Sequence, residues 1–440
     1  MIKKIILVGV ASLPTQSFAE QNISLFDISP GFYSQLLRNP NVRQDGDLYY
    51  EDLRSKGIML DSDITQIYQG TVKGESEDNN YSGSADLWLT LDIAKLGLWD
   101  KGALMIHSEI AFGSSFDSGG AALPLNFDST MPGSEKGEAT ISEFLYLQGI
   151  PGNTILALGK TSWTFGMDTN LFANNERNQF IYTGLVNTPL LAPFVPYTSI
   201  GGSATTFFDN GLSMTFVATS NSTNANSVGL DDFTASEMTY GYSVEWVGDI
   251  SGMPSNYNAL AGITNKDTTD LDMSSSMLFD DILIGGINDT PDIESNVSIP
   301  EKTNNYAFSF SGSQYIYGQY DDNHNFNGVG IFARVSFAPE DRNLFSQFYS
   351  VGISGTEGLF NRKEDSWGLG WAGTYVSDDI RPNSDLYGHV LANSEEVIEG
   401  YYQVSINRNI QLSLHSQYVK PIMQSYDEQL VFSTRLQLNL

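Results

Sequence analysis

Cysteine is absent from all 440 residues, so no disulfide can hold the chain together and a small stapled domain is excluded. Basic residues are scarce, 22 Lys and Arg against 52 Asp and Glu, for a formal charge of −30. That balance excludes a nucleic-acid binder, which needs clustered Lys and Arg to replace phosphate counterions. Beyond the first twenty positions no uninterrupted apolar stretch reaches the ~18 residues of a membrane-spanning helix. Histidine occurs only at His107, His324, His389 and His415, never at the spacing of a metal motif, and no metal or cofactor is expected. What remains is a protein soluble after export or a membrane barrel.

At the amino end, Lys3 and Lys4 precede the apolar run 5–13, and Ser17-Phe18-Ala19 places small residues where a signal peptidase reads. Residues 1–19 are therefore expected to be a cleaved secretory signal, with the mature chain starting at Glu20.

What the chain has in abundance is alternation. In the last twelve residues Leu430, Phe432, Thr434, Leu436, Leu438 and Leu440 oppose Gln429, Val431, Ser433, Arg435, Gln437 and Asn439. Period 2 belongs to a strand between two unlike environments, not to a helix. The pattern recurs: Ala85, Leu87, Leu89 and Leu91 oppose Asp86, Thr90 and Asp92, and Leu104, Ile106 and Ile110 oppose His107 and Glu109. Tyr240, Tyr242, Val244 and Trp246 oppose Ser243 and Glu245, while Val329, Ile331, Ala333 and Val335 oppose Gly330, Arg334 and Ser336. Trp367, Leu369 and Trp371 oppose Gly368, Gly370 and Ala372. Ile398, Tyr402, Val404 and Ile406 oppose Glu399, Tyr401, Gln403 and Ser405, with Asn407-Arg408-Asn409 turning into the next strand.

In a soluble sandwich the apolar face meets a second sheet; in an outer-membrane barrel it meets lipid and the polar face lines a lumen. Aromatics near strand ends, such as Tyr240, Trp246, Phe337, Trp367, Tyr375, Tyr402 and Tyr418, suit the headgroup level of a bilayer. Connections also differ in length. Asn407 to Asn409 and Pro339 to Asn343 read as short turns, whereas Ser220 to Thr239 and Thr264 to Asn305 are long and polar. Short turns at one end and long loops at the other are the asymmetry of an outer-membrane barrel. The expected fold class is thus all-β, a transmembrane antiparallel β-barrel with long external loops and short periplasmic turns.

A series of short motifs then falls in a familiar order. Leu53-Arg54-Ser55-Lys56-Gly57-Ile58, Tyr81-Ser82-Gly83-Ser84-Ala85-Asp86 and Leu98-Trp99-Asp100-Lys101-Gly102 come first; Glu143 to Gln148, Gly159-Lys160 and Asn187 follow. Toward the end stand Phe332-Ala333-Arg334-Val335, Ala338-Pro339, Arg342-Asn343, Asp365, Gly368-Leu369-Gly370, Glu396, Glu399 and Tyr401-Tyr402. From about Gly46 to Leu440 the chain resembles the carbohydrate-selective porins of bacterial outer membranes, the OprB family. Leu48-Tyr49-Tyr50 stands where that family usually has Trp-Gly-Gly, and Leu440 where many outer-membrane barrels end in an aromatic residue.

The resemblance implies a 16-stranded barrel in the outer membrane through which small sugars diffuse, with a homotrimer as one expectation. Outer-membrane lipid, lipopolysaccharide and the barrel assembly machinery are the other expected partners. The organisation expected is a signal peptide at 1–19, a periplasmic or plug-like segment at 20–60 leading into the first strand, and the barrel at 61–440. The competing class is a soluble exported β-rich sugar-binding or adhesive protein.

Strand parity nominates Asp86, Trp88, His107, Glu109, Glu245, Arg334, Glu399, Tyr401 and Arg435 for the lumen. Lys160 is a further candidate for the pore lining or constriction, and the segment after it, with Trp163, Phe165, Asp168, Glu176 and Arg177, mixes aromatic and opposite charges without alternation and is expected to fold inward and narrow the pore. For each of the lumen residues, ordinary wall lining with no part in selectivity is the simpler reading. Enzymatic signatures fail one by one. Gly159-Lys160-Thr161 lacks the upstream glycine of a phosphate loop, and Asp321 to Gly328 lacks the glycine position and distal Glu of a calcium loop, leaving a hairpin turn. Asp267, Asp270, Asp272, Asp280 and Asp281 read as a solvated loop rather than a cation site. No G-x-S-x-G occurs, and the closeness of Glu395, Glu396 and Glu399 does not make a glycosidase pair, since adjacent residues on a strand face opposite sides and adjacency alone is no acid/base argument. No enzymatic activity is expected.

Overall fold

The structure is a computed structural model that describes residues 24–25, 48–74, 79–114, 116, 118–130, 139–222, 233–271, 301–321, 326–356, 362–380 and 390–440. The expected signal, Asp272, Asp280 and Asp281, and His324 and His389 lie outside these residues.

A short helix α1 (Leu48–Ser55) leads into the first strand. The strands are β1 (Ile58–Lys73), β2 (Asn79–Asp92), β3 (Gly102–Gly113), β4 (Thr140–Ile150), β5 (Thr154–Thr161), β6 (Ser199–Phe207), β7 (Leu212–Ser220), β8 (Met238–Ile250) and β9 (Met253–Thr264). A two-residue ribbon, β10 (Thr268–Thr269) with β11 (Glu301–Lys302), stands apart from the wall. The series continues with β12 (Asn305–Tyr320), β13 (Phe326–Phe337), β14 (Phe345–Gly355), β15 (Ser366–Val376), β16 (Ser394–Asn407), β17 (Ile410–Lys420) and β18 (Gln429–Asn439). Each strand of the wall pairs antiparallel with its sequence neighbours, and β18 returns to β1 in the register Asp63 to Asn439 through Thr71 to Val431. The result is a closed 16-stranded barrel. Closure satisfies every strand edge, the condition for crossing a hydrocarbon core that offers no hydrogen bonds.

The carboxy-terminal strand shows how sequence alternation becomes two solvents. Gln429, Val431, Ser433, Arg435 and Gln437 are buried inside, whereas Phe432 faces outward and is 48 % exposed. Leu87, Ile110, Phe310, Ile331, Val351, Leu369, Ile398 and Leu414 stand outward in the same way. An apolar band of that extent is what lipid contact requires and water penalises. Aromatic pairs such as Tyr349 with Tyr375 and Trp246 with Tyr257 sit on that outer surface.

The turns 151–153, 208–211, 251–252 and 408–409 lie at the end that holds both α1 and the end of β18, whereas β3, β5, β7, β9 and β15 run out into their longer connections at the other. The short-turn end is periplasmic and the long-loop end external. One expectation needs correcting: the short connection at Pro339–Asn343 joins β13 to β14 at the external end. Length misleads there because Glu340–Arg342 forms a compact 3₁₀ turn, and Asp341 ties it to the ribbon through Lys302 Nζ at 2.8 Å.

The interior is not an open tube. The segment 162–198, between β5 and β6, enters the barrel as α2 (Trp163–Met167), α3 (Thr183–Val186) and the 3₁₀ turn Pro189–Phe194. Its Phe172, Phe180, Tyr182 and Leu185 pack against Phe332, Phe348, Val397 and Tyr401 of the wall. Its Trp163, Met167, Leu191 and Phe194 pack against Trp88, Met105, Leu145, Val217 and Leu260 on the opposite side. Small inward residues make the room: a side-chain carbon on Gly330 would lie 2.1 Å from the Phe172 ring, and one on Gly370 would lie 3.0 Å from Leu185. At the periplasmic end Leu25 is buried within the second of these clusters, and the Ser24 hydroxyl donates to Asp92.

Candidate functional site

The site is the barrel interior, and ladder registry builds it. Antiparallel partners point to one face, so the pairing of Asp86 with Glu109, Trp88 with His107 and His107 with Glu143 sets all five side chains on the inner wall of β2, β3 and β4. His107 Nε2 lies 2.7 Å from Asp86 Oδ1, and its Nδ1 lies 2.9 Å from Glu143 Oε2. The Trp88 ring stacks flat on the imidazole, with centroids 3.4 Å apart and planes at 8°.

Into this wall reaches Arg177 from the inward segment, 3.2 Å from Asp63 and 3.0 Å from Asp86. Glu176 lies beside it, 3.8 Å from its Nε. The connection between β3 and β4 folds in as well: Asp128 accepts from the Ser84 hydroxyl at 2.9 Å, and Asn126 donates to Ser82 at 3.1 Å. Burial, reinforced by the neighbouring Asp86 and Glu176 and opposed by Arg177, pushes the Asp128 carboxyl up to about 8.

On the far side of the barrel charged wall residues grip the inward segment. Arg334 donates to Asp168 at 3.0 Å and to the Ala173 carbonyl. Glu399 accepts from the backbone amides of Ile181 and Tyr182, each at 2.9 Å, and from His415 Nδ1 at 2.8 Å. Arg435 donates to the carbonyls of Glu176 and Gln179. Tyr401 stands edge-on to Phe180, with centroids 4.9 Å apart. Glu395 takes the amides of Ala122 and Leu123 together with the Tyr182 hydroxyl, so one strand holds both infolded connections.

The nominated residues therefore fall into separate groups. Asp86, Trp88, His107 and Glu109 meet one another and, through Asp86, Arg177, with Glu176 alongside. Asp168, Arg334, Glu399, Tyr401 and Arg435 meet across the inward segment and are closed off by it, which parity could not reveal because parity assigns a face and not what covers it. Trp163 and Glu245 border an open cleft along β4 to β9, beneath α2, lined also by Ser203, Thr205, Ser213 and Asn258. The Trp163 indole is locked by donating to the Ser199 carbonyl at 2.9 Å. Glu245 accepts from Thr169 and Asn256, each at 2.7 Å. Lys160 is buried, paired in register with Phe144 and Ile200, and is not among the residues lining the cleft. Gly159 before it has φ 145°, and the register runs unbroken through it on both sides.

Sequence reading missed Asp63, Glu143, Glu395 and His415, all of which sit at inward positions that full parity bookkeeping would have supplied. It also missed Asp128 and Tyr182, which lie in infolded connections with no local signal.

A closed barrel with a lipid-facing exterior and a polar interior narrowed by its own connections defines an outer-membrane channel of the porin class. The model of the carbohydrate-selective porins, the OprB family, matches residues 76–440, and the chain belongs to that family. The part of the resemblance over about 46–75 lies ahead of the matched stretch. Among solved structures, the high-pH structure of Pseudomonas putida OprB aligns with a TM-score of 0.72 at 14 % identity, over 89 % of this chain and 96 % of that one. The low-pH structure of the same protein aligns at 0.53 and 14 %, over 89 % and 95 %. Identity at that level speaks for the fold alone. The search of curated proteins found no match. The protein is a sugar channel of the bacterial outer membrane, which sets aside the soluble binding or adhesive alternative.

Proposed function

We propose that small sugars cross along the cleft between β4–β9 and the inward segment 162–198, and that this segment is the constriction. The observation that carries the reading is the placement of Trp163 and Glu245 on one open cleft whose remaining polar lining is mostly hydroxyl and amide. A neutral sugar offers hydroxyls and flat apolar ring patches, so it is met by hydrogen-bonding side chains and an aromatic face. Single contacts of this kind are weak enough to release what they admit, as conduction demands. Arg177, held between Asp63 and Asp86, stiffens the segment and contributes fixed charge to the narrowing. No chemical step on the sugar is part of this reading. The homotrimer, contact with lipopolysaccharide and delivery by the barrel assembly machinery belong to the same proposal, as does a plug-like role for residues 20–60, for which the burial of Leu25 is the support.

The test is sugar-dependent swelling of liposomes together with single-channel conductance. Trp163→Ala is expected to lower discrimination among sugars several-fold, and Arg177→Ala to raise conductance. Unchanged flux and conductance in both variants would remove this segment as the constriction.

A further inference from the structure

We propose that Asp86, His107 and Glu109 form a binding site for one divalent transition-metal ion of the Zn²⁺ type, set in the lumen wall behind Arg177. The donor atoms of Asp86, His107 and Glu109 lie within 4.8 Å of one another, a spread that small side-chain shifts convert into coordination distances of about 2.0–2.2 Å around zinc. His107 Nδ1 has Glu143 Oε2 at 2.9 Å and Glu109 Oε2 at 3.9 Å. Glu109 is fully buried, and its Oε2 has no hydrogen-bond partner although it points at this histidine. A buried carboxylate oxygen left unpaired is costly, and a cation is the ligand that relieves it.

Three further features favour an ion. Asp63, Asp86, Glu109 and Glu143 converge on Arg177 and His107, so carboxylates outnumber the basic groups that could neutralise them. The imidazole is orientated by the stacked Trp88 ring and held at Nδ1 by Glu143, whose Oε1 is itself fixed by the Thr161 hydroxyl at 2.6 Å and the Ser162 amide at 2.9 Å, the outer support that metal ligands need. Glu143 also borders the open cleft, which offers a route in from the lumen. One nitrogen with several carboxylate oxygens suits Zn²⁺ or a similar first-row ion better than Ca²⁺, which takes oxygen donors alone. Binding would release the proton that His107 shares with a carboxylate through the nitrogen used.

The experiment is calorimetric titration of ZnCl₂ into folded, EDTA-treated porin in detergent, with Co²⁺ absorption and tryptophan fluorescence as second readouts. One equivalent is expected, with affinity reduced at least tenfold in both His107→Gln and Glu109→Gln, and a metal-dependent fluorescence change that disappears in Trp88→Phe. Slower migration after boiling identifies folded barrels. Should His107→Gln fail to fold, the near-isosteric Glu109→Gln carries the test. Absence of a stoichiometric event in folded protein, or uptake untouched by Glu109→Gln, would overturn the site and leave a proton as the occupant.

Discussion

At the scale of single residues the interior sets charge against burial. Asp128 is almost completely buried and its carboxyl is pushed up to about 8, so the folded protein holds a proton there that the unfolded chain, with an ordinary carboxyl near 4, gives up. Folding then takes up a proton between those values. The contribution of Asp128 is complete below about pH 4 and is lost as pH rises through about 8, at a slope of up to ~1.4 kcal/mol per pH unit. Docking of the connection 114–130 should accordingly weaken from pH 5 to pH 9, and Asp128→Asn should flatten that dependence and equal or exceed the parent at pH 9. Limited proteolysis of this connection across the pH range measures both.

At the scale of elements the decisive object is the inward segment, because the wall does not hold it by apolar packing alone. Arg334 and Asp168 are both buried, 2 % and 0 % exposed, and removing one partner of such a pair costs roughly 3–5 kcal/mol by stranding the other charge. Arg334→Met should therefore loosen 162–198, seen as faster protease cleavage within it and noisier single-channel current, while the barrel keeps its heat-dependent mobility. Asp168→Asn combined with Arg334→Met should recover part of the loss. This element was only half legible beforehand. The loss of alternation after Lys160 marked a departure from the wall, but its berth is set by Gly330, Gly368 and Gly370 together with Glu399, far along the chain. Small inward residues at those positions carry a signal only once a partner is known to fill the space.

At the scale of the whole molecule two solvents meet one sheet. Val351 stands outward, 51 % exposed, level with Ala333 and Trp371 on neighbouring strands. Val72, 67 % exposed, stands outward near the external end of β1. Arginine at the first position should cost about 2–4 kcal/mol and at the second about 0–1, since the penalty falls from the bilayer midplane to its rim. Chemical unfolding in lipid vesicles compares the two, and equal costs would deny the depth assigned to these strands.

The faces of the strands and the motifs of the family were written in the sequence by itself, because strand parity is local and repeats every two residues, whereas the closure of the final strand onto the first was not. Only the tertiary structure decided what fills the lumen. The meetings of Arg177 with Asp63, of Tyr182 with Glu399 and of His107 with Asp86 and Glu143 join residues on different elements, and no periodicity along a chain encodes which inward faces will share a space.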